Sequence, residues 1–283
     1  MVHESKEMKS LTRDRPEMNL LAIIPARGGS KGIPMKNLAP VAGHPLLAWT
    51  CRAALESRSL SRVILSTEDS EIAERGREFG VAVPFLRPAE LARDDTPTLP
   101  VIRHALEFLA EREGYRPDAV VLLQPTAPLR RAEHIDGAVA RMGETGADAV
   151  VSVSPVPAHF HPYWVFDLDG GERLKPTHPD GGPERYPRRQ ALPPAYTRNG
   201  AVYVARTRLI LQENSLYGPA PAAYVMPPED SINVDAPEDL ARAEETLLQR
   251  MASERERKFR APPQQGDESP CLPRKSTLKG AQP

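Results

Sequence analysis

Four times between residues 20 and 124, a short apolar run is followed by a stretch with helical spacing, and a fifth run closes the series. LLAII (20–24) leads to a helix expected near 45–57, and RVILST (62–67) to one near 69–79, with Asp69 or Ser70 as its N-cap and Gly80 as its stop. VAVPFL (81–86) precedes a helix near 96–112, AVVLLQ (119–124) one near 131–142, and AVVSVS (149–154) is the fifth run. Nearly unbroken apolar strands alternating with helices predict an α/β fold, a Rossmann-like three-layer sandwich whose mostly parallel sheet is covered on both faces. Ligands in such sheets bind outside the carboxyl ends of the strands. Arg27, Thr67 and Gln124 stand just past strand ends, so they are expected to share one crevice.

Residues 155–195 break this rhythm with proline, glycine, histidine and arginine, and read as an inserted arm. The pattern resumes with GAVYVA (200–205), YVM (224–226), SINVD (231–235) and a helix over 237–251. Pro237 at its first position and Glu238 and Asp239 in its first turn suit a helix start. The expected organisation is therefore a polar, mobile N-terminus (1–18), one domain (19–251) containing the arm, and a disordered tail (252–283) without apolar periodicity.

Composition narrows the function classes. A net charge of −1 offers no global field for nucleic acid or an anionic membrane. Aromatic residues are 5% and scattered, so no base-stacking platform is expected. The two cysteines, Cys51 and Cys271, are too distant and too few for a disulfide framework or zinc site, and a reducing cytoplasm fits them. The charged N-terminus lacks the apolar centre of a signal peptide, and no transmembrane run is present.

The chemistry concentrates in the loop after the first run, PARGGSKGIPMKN (25–37). Glycines at 28, 29 and 32 let backbone amides approach oxygen atoms, and Arg27, Lys31 and Lys36 can neutralise them, which is what a phosphate chain requires. Neither GxxxxGK[ST] nor GxGxxG is present. Lys31 can serve the phosphates or point outward. Ser66 and Thr67 can line the crevice or cap the next helix. Gln124 ends an apolar run, where an unpartnered amide would be costly.

The loop resembles the signature of the acylneuraminate cytidylyltransferases, the CMP-sialic acid synthetases. The resemblance runs from about Leu20 to Gln249 and includes RPAELARDDTPT (87–98), LLQPTAPLR (122–130), RRQALPPAYTRNGAVYV (188–204) and SINVDAPEDL (231–240). It implies the nucleotide-diphospho-sugar transferase type of fold and transfer of CMP from CTP to the anomeric hydroxyl of an acidic nine-carbon sugar, with loss of pyrophosphate. Chemistry of this kind is mostly positioning and charge neutralisation.

The same resemblance implies roles for single residues. Arg27, Lys36 and Asp235 carry the catalysis, and Ala26, Gly28, Gly29, Ser30, Asn37, Arg87, Thr98 and Gln124 bind the nucleotide together with Arg27 and Lys36. Asn37 also braces the loop. Gln124, Arg189, Asn199 and Tyr203 face the sugar, Arg189 by pairing with its carboxylate. Tyr203 can equally belong to the core. Mg²⁺ is the implied cofactor, held by Asp235, where a helix-cap role can coexist, and by Asn233, which stands where relatives carry a second aspartate. A homodimer is implied, with the arm completing the partner's sugar site. Trp164 and Thr197 replace a lysine and an arginine found in some sialic acid enzymes, so legionaminic, pseudaminic or 3-deoxy-octulosonic acid is an alternative acceptor. Another nucleotide, or a non-catalytic nucleotide binder that lost its metal through Asn233, completes the alternatives. His159 and His161 read as structural or sugar contacts rather than metal ligands.

Overall fold

In the first strand, Ala22 and Ile24 pack into one hydrophobic layer while Leu21 and Ile23 pack into another. This is the alternation of a strand buried on both faces. The computed structural model describes residues 18–260 except Lys31. The expectations for residues 1–17, for 261–283 and for Lys31 lie outside the described residues.

The first strand is β1 (Leu20–Pro25), followed by the small antiparallel pair β2 (Pro40–Val41) and β3 (His44–Pro45). Then come α1 (Leu46–Glu56), β4 (Arg62–Ser66), α2 (Ser70–Glu78), α3 (Thr98–Glu113), β5 (Ala119–Leu122), α4 (Ala132–Thr145) and β6 (Ala149–Pro155). The arm holds β7 (Phe166–Asp169) and β8 (Arg173–Pro176). The chain ends with β9 (Tyr196–Arg206), α5 (Thr207–Leu211), β10 (Ala222–Val225) and α6 (Pro237–Arg260). The main sheet has the order β10-β6-β9-β5-β1-β4.

Side chains of α1, α2 and α4 (Leu47, Ile72, Ile135) cover one face of the sheet, and those of α3 and α5 (Ile102, Leu106, Leu209) cover the other. A third cluster joins Ile33, Val41, Leu129 and Val234 to Leu247 of α6. Asp69 caps α2, its carboxylate accepting from the amides of Glu71 and Ile72 at 2.9 and 3.0 Å. Gly80 follows that helix at φ +83°.

The chain moves from β1 outward to β4 and then back across to β5 on the other side of β1. That reversal leaves a crevice at the carboxyl end of β1, the position where open α/β sheets bind ligands.

Four elements differ from the pattern-based expectation. Residues 81–86 form no strand; they make single parallel bridges, Ile64 with Ala82 and Thr67 with Leu86. Pro84 stands between these bridges and lacks the donor a ladder needs. β9 runs antiparallel to both β5 and β6. The arm that precedes it contains no α-helix, the usual crossover for a parallel return. SINVD is extended but not a strand: Val234 N–H donates to the Thr126 carbonyl (2.7 Å) and Asp235 N–H to the Asp239 carboxylate (3.1 Å). Finally, α6 runs nine residues beyond Met251 into the expected tail, to Arg260. Glu, Arg and Lys are good helix formers even where no apolar stripe guides them.

Candidate active site

A cavity of about 270 Å³ opens at the switch point, lined by Arg27, Ser30, Lys36, Arg87, Thr98 and Gln124 among others. β1 ends at Pro25, and the Ala26 amide donates to the Ser66 carbonyl at 3.0 Å, so the loop leaves the sheet from a fixed point. Asn37 is buried, and its Nδ2 donates to the Arg27 carbonyl at 2.8 Å, drawing the two ends of the loop together. Lys36 Nζ reaches across to the Val234 carbonyl (2.9 Å) and Asp235 Oδ1 (3.3 Å). The loop also presses on this segment at Gly32, where an added Cβ would stand 2.7 Å from the Asp235 carbonyl oxygen. A side chain there would force loop and segment apart.

Three cations of the cavity already have a carboxylate neighbour. Arg27 pairs with Asp94 (2.8 Å), Lys36 with Asp235 (3.3 Å), and Arg87 with Glu68 (2.7 Å). The Arg27 pair is exposed to solvent, whereas the Arg87 side chain is 3% exposed. Burial pulls the Arg87 pKa down, and the Glu68 carboxylate opposes that pull. A polyanion entering here meets these three cations already paired. The first pair yields readily, because exposed ion pairs contribute little.

On the other side of β1, the Gln124 and Asn233 side chains meet over Gly200. A Cβ at this residue would lie 2.9 Å from Gln124 Oε1 and 3.2 Å from Asn233 Oδ1, and φ is +73°. Glycine is therefore required twice over, by space and by backbone. Asn233 Nδ2 donates to Asp235 Oδ2 at 2.5 Å, while its Oδ1 is buried without a hydrogen-bond donor. Asn233 and Asp235 are thus together, although no strand alternation puts them there.

The residues expected to face a sugar separate into three environments. Gln124 lines the cavity. Asn199 is buried and its amide is engaged: Oδ1 accepts from Ser152 Oγ (2.6 Å) and the Ala201 amide (3.2 Å), and Nδ2 donates to Ser231 Oγ (2.9 Å). Tyr203 packs in the core with Leu21, Ile23 and Leu122, and burial raises its phenol pKa. Between the two readings that its position on the strand allowed, the structure selects the core. Arg189 is exposed on the arm and is not part of the cavity lining. His161 is buried in the arm, with Nε2 3.0 Å from the Pro193 carbonyl and Nδ1 accepting from the Tyr163 amide.

Two of the loop amides are also spent within the chain. Ala26 is tied to Ser66, and the Gly28 amide donates to Glu68 Oε1 at 2.7 Å. Gly29 and Ser30 remain in the cavity lining. Glu68 was invisible in the sequence because it sits between a strand end and a helix cap, where an acid suits the helix dipole.

Arg130 is a second residue that pattern reading passes over. It is fully buried, donates to the Gln124 and Ala201 carbonyls (3.1 and 2.7 Å) and to Thr50 Oγ1 (2.6 Å), and burial lowers its pKa to about 9. It ties the Gln124 turn to β9 beside Gly200. Its signal in the sequence is an arginine closing an apolar turn, APLR.

A family model described as cytidylyltransferase matches residues 21–258. The chain belongs to the cytidylyltransferase family. This cytidylyltransferase is 35% identical over 231 residues to a CMP-N,N'-diacetyllegionaminic acid synthase of Legionella pneumophila, covering 81% of this chain and 97% of that one. It is 33% identical to N-acylneuraminate cytidylyltransferase A of Danio rerio and 34% identical to an N-acylneuraminate cytidylyltransferase of Streptococcus agalactiae. Those matches cover 88% and 78% of this chain but about half of the relatives' own length, 55% and 52%. Among solved structures, CMP:2-keto-3-deoxy-manno-octonic acid synthetase complexed with CTP superposes with a TM-score of 0.60 at 18% identity, covering 82% of this chain and 99% of that one. The 4-diphosphocytidyl-2C-methyl-D-erythritol synthase of Anaerococcus prevotii gives 0.54 at 14%, with the same coverage. These two likenesses establish the fold.

Proposed function

We propose that this cytidylyltransferase moves the CMP group of CTP onto the anomeric hydroxyl of a nonulosonic acid and releases pyrophosphate. The observation that carries this reading is the convergence of Arg27, Lys36, Arg87 and Gln124 on one cavity at the carboxyl ends of β1 and β5. In the reaction the anomeric oxygen bonds to the α-phosphorus as the bond to the bridging oxygen breaks, and the hydroxyl proton passes to solvent. Arg27 and Lys36 neutralise the charge that passes to the leaving pyrophosphate. Asn37 holds the loop closed, and Thr98 and Arg87 form the wall opposite it.

Asp235 and Asn233 would hold Mg²⁺. Among the described residues no three His, Cys, Asp or Glu side chains cluster as a metal site. One carboxylate and one unpartnered amide oxygen still suit a hard cation whose other ligands are phosphate and water. Bound there, the ion would supply positive charge to the phosphates.

The names of the relatives support a sialic-acid-like acceptor. The legionaminic acid synthase matches over nearly its whole length, so legionaminic acid stands beside N-acetylneuraminic acid as the first acceptor to test.

The arm supports a homodimer. Its hairpin exposes Leu168 and Leu174 at 64% and 67%, and an isolated two-stranded hairpin is marginal in water. A second copy would cover it, and Arg189 would then act in the partner's sugar site. No helix among the described residues is long and apolar enough to cross a membrane, and the cytoplasm is the compartment we assign.

The test is pyrophosphate release from CTP with N-acetylneuraminic, legionaminic, pseudaminic and 3-deoxy-octulosonic acids, with Mg²⁺ present. Release that depends on one of these acids is expected. No release with any of them would overturn the proposal.

A further inference from the structure

Glu68 joins the two walls of the crevice through a single carboxylate. Its Oε1 accepts the Gly28 amide of the phosphate loop at 2.7 Å, and its Oε2 accepts Nη2 of Arg87 at 2.7 Å. Both side chains of the pair are withdrawn from water, Arg87 at 3% and Glu68 at 19% exposure. The Arg87 backbone is already fixed, because its amide donates to the Thr67 carbonyl at 2.7 Å. What Glu68 adds is the direction of the guanidinium. Arg87 Nε is buried and unpartnered, so the ion pair to Glu68 is what holds the head of this side chain. On the loop side, Gly28 is also pressed onto the α2 cap: an added Cβ would stand 2.5 Å from Asp69 Oδ2.

A carboxylate at this position opposes phosphate binding by simple electrostatics. Two like charges a few ångströms apart repel, the more so in a partly buried site. Its presence here is accounted for by geometry rather than by charge. We propose that Glu68 is a positioning residue for the nucleotide: it locks the Arg87 side chain and the Gly28 amide into one preformed unit that CTP meets without reorganisation. The inference rests on the cytidylyltransferase reading of this cavity.

Electrostatics and positioning predict opposite signs for Glu68→Gln. Loss of a negative charge alone would tighten CTP. Loss of the lock weakens it, because an amide presents an NH₂ group to one of the two donors and leaves the buried guanidinium without its counter-ion. Titration calorimetry with CTP and steady-state kinetics with the acid sugar read the difference. We expect the Kd and KM for CTP to rise about tenfold, with the sugar KM unchanged within about twofold. In a cycle with Arg87→Lys the two losses overlap, so the double variant binds CTP only about twofold worse than the weaker single one. A residue that merely supports the fold would lower the Tm without this overlap. The CTP-induced rise in Tm gives a second reading of affinity on the same variants, including any of low stability. Equal or tighter CTP binding by Glu68→Gln, or additive losses in the cycle, overturns the inference while leaving the function reading intact. Absence of CTP binding by the unaltered chain overturns both.

Discussion

Arg87, in the wall of the crevice, is 3% exposed and held by Glu68, whereas Leu168 and Leu174 of the arm are 64% and 67% exposed. The crevice is assembled from short loops after β1, β4 and β5. Several of its polar groups are held by neighbours in the same chain: Asn37 by the Arg27 carbonyl, Lys36 by the Val234 carbonyl, and the Gln124 carbonyl by Arg130. The arm is a hairpin whose strands pair only with each other in the sheet, and its Arg189 faces outward. One region is preorganised inside a single chain. The other needs something to lean on. On the proposed function, the contrast makes nucleotide and sugar recognition separable, and substitutions can test that separation.

The largest effect is expected from Arg27→Ala. It removes a cation from the phosphate end of the crevice, and loss of one such stabilising group costs about 10²–10³ in turnover. Pyrophosphate release should fall by that factor with every acceptor, while the Tm moves little, because the Arg27–Asp94 pair is exposed. An equal fall in Tm would place Arg27 in the frame of the fold instead.

Arg189→Ala is the matching cut on the arm. A charge-assisted hydrogen bond to a carboxylate contributes about 2 kcal/mol, close to 30-fold in affinity. The sugar KM should rise by about that factor with the CTP Kd unchanged. A parallel loss of CTP binding would break the separation of the two regions. If the arm works across a dimer, pairing this variant with an Arg27→Ala chain should restore part of the activity in mixed dimers.

How much of this was legible beforehand follows the same division. The strands of the crevice announced themselves as apolar runs, and Arg27, Lys36, Asn37 and Gln124 stood in blocks specific enough to name a family. The direction of β9 was not legible, since periodicity carries no orientation and the missing helix before it is a property of the arm. The failure of 81–86 and 231–235 to become strands has one cause. An apolar run needs a ladder beside it, and Pro84 in one case and side-chain acceptors such as Asp239 in the other remove it. Asn199 was read as facing the sugar, and the network that holds its amide through Ser152 and Ser231 was not legible, because both partners lie far away in the chain. Glu68 and Arg130 were missed because their importance lies in distant chain segments that only folding brings to them.

Asn233→Asp probes the crevice at the position where the sequence resemblance implies a second aspartate. A second carboxylate beside Asp235 raises the charge count for a hard cation, and affinity follows charge count. Mn²⁺ binding in the presence of CTP, followed by electron paramagnetic resonance, should tighten about tenfold. The cost should appear as a lower Tm without metal, because Asn233 Nδ2 no longer donates to Asp235 and two carboxylates then repel. Unchanged Mn²⁺ binding would remove position 233 from the metal set.

The smallest effect concerns the frame behind the crevice. Asp230, buried just before the 231–235 segment, is held by Arg131 (2.9 Å), Arg250 and His134 (3.2 Å). His134 accepts the Arg131 amide at Nδ1 (3.1 Å), which leaves Nε2–H to donate to Asp230. This is the neutral ring, and burial lowers the His134 pKa, with Asp230 opposing. Above the ordinary value of 6.5 the ring is neutral folded or unfolded, and no stability depends on it. As pH falls through 6.5 the unfolded chain takes up the proton first, so stability is lost from there down to the depressed folded value. Thermal unfolding between pH 7 and 5 should show this loss, and His134→Gln should flatten it by about 2 °C. A pH slope unchanged in His134→Gln would move the acid sensitivity away from this junction.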